Sequence, residues 1–110
     1  MQKCDLLYLN LSFIEQHYSE DISIEAISSF CGLNRSYFSK VFRDTMGESP
    51  QGFLLHYRMA RAAQLLTESR LPISTISTMV SYPNQLHFSR AFKNVYGISP
   101  RDYRAKHLAL

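Results

Sequence analysis

The feature that most constrains this chain of 110 residues is that it says one thing twice. The run Asn34-Arg35-Ser36-Tyr37-Phe38-Ser39-Lys40-Val41-Phe42-Arg43, followed by Gly47-Glu48-Ser49-Pro50, returns fifty residues later. There it reads Asn84-Gln85-Leu86-His87-Phe88-Ser89-Arg90-Ala91-Phe92-Lys93, followed by Gly97-Ile98-Ser99-Pro100. Asn, both Phe residues, one Ser, the Gly and the Ser-Pro pair are identical between copies. Lys40 and Arg90 keep their charge, as do Arg43 and Lys93. The chain therefore carries two copies of one short, basic, helix-forming device.

Each copy is built the same way. Asn34 is a helix cap, since its side chain can accept from the backbone N–H groups that the first helical turn leaves unpaired. Behind it, Tyr37, Phe38, Val41, Phe42 and Thr45 recur at steps of three and four and are predicted to face inward. Ser36, Ser39, Lys40 and Arg43 are left on the opposite face. A shorter helix precedes it, capped by Ser23, with Ile24, Ile27 and Phe30 as its apolar face and Ser28 as a small residue. Gly32 ends that helix, because glycine takes the left-handed conformation of a helix stop without penalty. Two short helices around a tight Gly turn, the second basic on its outer face, form the helix-turn-helix pattern. In the second copy, Ile76 and Met79 are predicted inward and Ser77 takes the small position. The turn Val80-Ser81-Tyr82-Pro83 is one residue longer, and Asn84 caps again. Phe88, Ala91, Phe92 and Val95 point in, while Gln85, Leu86, Ser89, Arg90 and Lys93 point out.

Between and around the copies the reading is also helical. Leu7, Leu11, Ile14 and Tyr18 predict an amphipathic helix over about Asp5 to Tyr18. Ser49-Pro50 starts a long helix to about Glu68, carrying Phe53, Leu54, Tyr57, Ala60, Leu65 and Leu66. Ser99-Pro100-Arg101-Asp102 starts a last one through about His107, with a capping-box acid. A helical connector fixes the spacing of what it joins, as a Gly/Ser linker would not. The expected fold is all-α: residues 1–48 as a first helix-turn-helix subdomain, 49–69 as a connecting helix and 70–110 as a second helix-turn-helix subdomain. Two copies around a different connector do not make a solenoid.

Composition narrows the function classes. The apolar fraction of 45% suits a folded domain, and the net charge of +3 with pI near 9.0 permits an acidic partner without requiring one. Arg90, Lys93, Arg101, Arg104 and Lys106 crowd the last quarter. Cys4 and Cys31 lack the paired spacing of a disulfide scaffold or zinc site and read as thiols in a reducing compartment. No apolar run approaches membrane-spanning length and no signal-peptide core follows the N-terminus, so a cytoplasmic location is expected. His17, His56, His87 and His107 are read as having no metal-ligand spacing and no acidic partners nearby. No phosphate-binding loop, nucleophile elbow or paired-carboxylate motif is present. An enzyme, a metal site and a cofactor are not expected.

One copy alone reads equally well as a solvated helical hairpin. Matched basic positions in both copies are not required by packing, and they favour a DNA reader over a helical protein-interaction module that contacts the transcription machinery without reading DNA. Two readers on a stiff connector have a physical use, because successive major-groove turns on one face of a duplex lie about 34 Å apart.

The motifs Phe38-Ser39-Lys40-x-Phe42-Arg43, Gly47-x-Ser49-Pro50, Arg58 and Ala62, and Ile73-x-x-Ile76-Ser77 are joined by two more. These are Phe88-Ser89-Arg90-x-Phe92-Lys93 and Gly97-x-Ser99-Pro100-x-x-Tyr103-Arg104. Together they resemble the AraC/XylS family of bacterial transcription regulators, over almost the whole chain. The resemblance implies seven helices and two helix-turn-helix subdomains. It implies sequence-specific binding of double-stranded DNA at promoters, usually as an activator working with RNA polymerase. It further implies that the chain is the DNA-binding part of a longer protein, monomeric on its own and associated with the bacterial nucleoid. Carried over by position, the base readers are Ser36, Ser39 and Lys40 in the first copy and Gln85, Leu86, Ser89 and Arg90 in the second. Asn34, Arg35 and Arg43, with Asn84 and Lys93, are placed for phosphate. The chain departs from the family where Ser81-Tyr82 replaces the usual Gly-Phe, and where Ser28 and Ser77 stand at positions usually held by Ala. If its φ is positive, Ser81 carries about 1 kcal/mol of strain.

Overall fold

A computed structural model describes residues 11–107, and these are helical throughout apart from caps and turns. In chain order the helices are α1 (described over residues 11–17), α2 (Ile24–Phe30), α3 (Arg35–Met46), α4 (Pro50–Glu68), α5 (Ile73–Met79), α6 (Gln85–Tyr96) and α7 (Pro100–His107). The described residues hold seven helices and no strand, so the all-α expectation is met. The start of the expected first helix, with Leu7, and Cys4 lie outside the described residues. The chain divides into two compact units between Leu55 and His56, inside α4.

In the first unit the caps act as the side chains dictate. The Ala26 N–H donates to Ser23 Oγ at 3.1 Å, and the Tyr37 N–H donates to Asn34 Oδ1 at 2.9 Å. Helix α2 ends in a two-bond reversal: Gly32 N–H to Ser29 O at 3.0 Å and Leu33 N–H to Ser28 O at 2.9 Å, with Gly32 at φ 73°. That pairing satisfies carbonyls which the helix end would otherwise leave open. The core is Ile14, Ile24, Ile27, Cys31, Phe38, Phe42 and Leu54, with Ser28 buried among them. Phe42 meets Phe53 edge-on at 5.5 Å, which ties α3 to the start of α4. There the Gly52 N–H donates to Ser49 Oγ at 3.1 Å. Burial pushes the Cys31 thiol above its ordinary range, which keeps it neutral.

The second unit repeats this plan. Asn84 Oδ1 accepts from the N–H groups of Leu86 and His87 at 2.9 and 3.2 Å, and Ser99 Oγ accepts from the Asp102 N–H at 3.1 Å. Its core is Met59, Ala62, Ala63, Leu66, Ile76, Val80, Phe88 and Phe92, with Ser77. Phe92, Tyr96 and Tyr103 form a ring cluster, Phe92 and Tyr103 edge-on at 5.3 Å, that anchors α6 to α7. Arg104 donates from Nε to Leu66 O at 3.0 Å and from Nη2 to Leu71 O at 2.7 Å. Leu66 lies in the last turn of α4, so Arg104 caps that helix and leaves the basic crowd of the last quarter.

Several inward assignments are corrected. Phe30 is 53% exposed and Met79 39% exposed, while the next residues, Cys31 and Val80, are buried. At about 100° per residue, Phe30 and Met79 fall at the margin of the arc that carries Ile27 and Ser28 or Ile76 and Ser77. Cys31 and Val80 continue that arc. The error is the same in both copies because the geometry is the same. Tyr37 is 51% exposed for the same angular reason. Thr45 lies on the inward face but in the last turn, beyond the core, and its hydroxyl donates back to Val41 O at 2.8 Å. In α4, Ala60 is exposed, and Met59, Ala62 and Ala63 carry the buried face. His17 does have an acidic partner, with Nδ1 2.5 Å from Glu20 Oε2 one turn on.

Candidate nucleic-acid interface

The two basic helices, α3 and α6, are each 12 residues long, each capped by Asn and each closed by a left-handed Gly, at φ 80° and 83°. Equal length and equal caps put equivalent side chains at equivalent angles. Phe38 and Phe42 fix which side of α3 is inside, and Phe88 and Phe92 do the same for α6. Opposite them, at steps of four and then three, stand Ser36, Lys40 and Arg43 on α3, all exposed. Leu86, Arg90 and Lys93 form the matching stripe on α6, Leu86 being 58% exposed. Helical rise separates the ends of each stripe by about 10 Å, a length that fits along a groove.

The remaining predicted residues sit around these stripes. Ser39 and Ser89 are half-buried at the edge, about 100° around from Phe38 and Phe88. Gln85 is exposed in the first turn of α6. Asn34 and Asn84 are exposed, with their carbonyl oxygens already engaged as caps. Arg35 is exposed and its Nη1 lies 2.5 Å from Glu25 Oε1 of α2. That partner was missed in the sequence. Its only signal was two opposite charges flanking the turn between α2 and α3, and helix periodicity does not reach across a turn. Asp44 is a further exposed acid on α3 where α6 has Asn94.

The turn before α6 is where the copies differ most. Ser81 occupies the left-handed conformation at φ 69°, alone among the described non-glycine residues. It makes the same two-bond reversal as Gly32, with Ser81 N–H to Thr78 O at 3.1 Å and Tyr82 N–H to Ser77 O at 2.9 Å. Ser77 adds a reciprocal bond, its hydroxyl donating to Tyr82 O at 2.5 Å across the turn. In the first copy the Ser28 hydroxyl is spent on its own helix, at Glu25 O, 3.0 Å. The longer second turn is thus held by a side-chain bond that the first does not use. No group of three His, Cys, Asp or Glu residues that could hold a metal occurs among the described residues.

This arrangement defines an all-helical chain with two helix-turn-helix units, each presenting a capped, basic recognition-type helix. A family model described as a helix-turn-helix domain matches residues 27–106. The chain belongs to that family, in its AraC-type branch. It is 36% identical over 93 residues to the probable transcriptional regulator LumQ of Photobacterium leiognathi, covering 84% of this chain and 38% of that protein. It is 35% identical over 94 residues to the lactose operon transcription activator of Staphylococcus xylosus, covering 86% and 34%. The chain thus spans well under half the length of these relatives. Among solved structures, the C-terminal domain of AraT, a response regulator from Geobacillus stearothermophilus, superposes with a TM-score of 0.91 at 32% identity, over 96% of this chain and 88% of that one.

Proposed function

We propose that the chain is the DNA-reading part of a transcription regulator, inserting α3 and α6 into successive major-groove turns of one double-stranded site. The observation that carries this reading is the pair of matched exposed stripes, Ser36-Lys40-Arg43 and Leu86-Arg90-Lys93, on helices of equal length and equal capping. Ser36, Ser39 and Lys40, and Gln85, Leu86, Ser89 and Arg90, read bases. Asn34, Arg35, Arg43, Asn84 and Lys93 hold phosphate, with Arg43 and Lys93 as the plainest clamps. Arg and Lys suit guanine O6 and N7, Gln suits adenine, and Leu86 suits a thymine methyl. Residues 1–48 and 70–110 serve as the two readers and 49–69 as their connector. The chain binds as a monomer, needs no cofactor and performs no catalysis. The longer protein to which it belongs acts in the bacterial cytoplasm as an activator with RNA polymerase as its second partner. The activator title of a relative and the family of regulators support this part of the reading.

Selection of binding sites from a pool of random duplex DNA by the purified chain tests it. Enrichment of one asymmetric sequence is expected. A pool that binds without enriching any sequence would overturn sequence reading.

A further inference from the structure

The two units are far from equal in charge. Residues 1–55 carry four Lys or Arg against seven Asp or Glu, and residues 56–110 carry eight against two, giving net charges of −3 and +6. At the start of the recognition helix the imbalance becomes local. Arg35, the first residue of α3, is held by Glu25 at 2.5 Å, with both side chains more than half exposed. The matching positions in the second unit are Ser74 and Gln85, which carry no charge. Helix α5 has no charged residue at all, whereas α2 presents Glu25 in its first turn.

Resting on the DNA-binding reading above, we propose that Glu25 is a positioning residue that sets the first unit's affinity for DNA: by pairing with Arg35 it cancels the first recognition helix's entry charge, and the pair must part before Arg35 can hold phosphate. A guanidinium and a carboxylate in contact present no net charge to a passing phosphate. Swinging Arg35 away leaves a bare carboxylate beside the duplex. Either way the first unit gains little from DNA of arbitrary sequence, and the second unit, at +6, supplies that grip. The first unit seats only where base contacts to Ser36 and Lys40 offset the cost of parting the pair. Wherever the first unit seats it bears that cost, so Glu25 holds affinity down without any contact of its own to DNA and leaves the choice of sequence to the base readers.

The test is a double-mutant cycle in the whole chain: wild type, Glu25→Gln, Arg35→Gln and the double variant, with Glu15→Gln, at an exposed position of α1, as a control of equal charge change. Binding to the selected site and to an unrelated duplex is measured over a salt series. Glu25→Gln should raise affinity for the unrelated duplex by up to about eightfold at 0.1 M salt, and steepen its salt slope by about 0.9, the value of one added phosphate contact. It should raise affinity for the selected site by at least as much, since the pair must part there, so the specificity ratio does not fall. Glu15→Gln should do markedly less, and the effect of Glu25→Gln should vanish in the Arg35→Gln background. Glu25→Ala, which leaves Arg35 no acceptor, should match Glu25→Gln. Equal effects of the Glu25 and Glu15 variants, persistence of the effect without Arg35, or weakened binding to the selected site would each overturn the role of Glu25. Failure of the wild-type chain to bind either duplex would instead overturn the DNA-reading proposal beneath it.

Discussion

Ser81 offers a test in which two sites of one molecule serve as each other's control. Ser81 and Gly32 occupy the same place in the two turns, at φ 69° and 73°, and both turns close with a 2.9 Å bond from the following residue's N–H. Holding a Cβ in the left-handed region costs about 1–2 kcal/mol. Replacing Ser by Gly removes that strain but restores unfolded-state freedom worth about 0.4–1 kcal/mol. The difference leaves Ser81→Gly more stable by about 0.5–1 kcal/mol, or about 2–8 °C in Tm for a domain near this size. Gly32→Ser should move stability down by a similar amount. A Cβ at Gly32 would meet nothing within 4 Å, so strain alone is at issue there, with no clash. Ser81→Ala, which keeps the Cβ, should melt with wild type. Scanning calorimetry of the four proteins reads these shifts. A lower Tm for Ser81→Gly, or an unchanged one for Gly32→Ser, would refute the view that backbone conformation sets the choice of residue at both turns.

Three further outcomes are expected. Arg90→Ala should relax preference at one base pair by about 1–3 kcal/mol while leaving non-specific binding nearly intact, and Arg90→Lys should recover little, since an ammonium cannot form the two-pronged guanine contact; a binding series over all four base pairs at each position reads this. Arg43→Ala or Lys93→Ala should weaken binding to every sequence and flatten the salt slope by about one unit, as measured by salt titration. Ser77→Ala should destabilise by about 1 kcal/mol, because it removes the bond that holds the α5–α6 turn, while Ser28→Ala should cost less, since its hydroxyl only returns to its own helix; urea unfolding compares the two.

Much of the fold was legible because the chain marks its helix ends with chemistry that acts locally. Ser23, Asn34, Ser49, Asn84 and Ser99 cap where their side chains allow, and Gly47 and Gly97 stop the two recognition helices. The outward stripes followed from periodicity because Phe38, Phe42, Phe88 and Phe92 fix the inward direction. What the sequence did not disclose was what spans elements. The Glu25–Arg35 pair, the Arg104 cap on α4 and the Ser77–Tyr82 bond join residues 5 to 38 positions apart, across turns that carry no period. Periodicity misplaces Phe30 and Met79 because two turns of helix do not define a face to better than one residue. Among the site residues, periodicity puts Ser39 and Ser89 on the outward face, and the half-burial found for both places them at the edge of the reading face.

The central claim is that one copy of this chain reads two groove turns with two unlike helices. A hydroxyl-radical footprint of the purified chain on its selected duplex, with the stoichiometry measured in the same solution, tests it most directly. The claim predicts one chain per duplex, two protected patches about one helical turn apart on one face, a site of about twenty base pairs and half-sequences that differ. A palindromic footprint that appears only with two chains bound, or a single protected patch that Lys40→Ala and Arg90→Ala weaken alike, would contradict it.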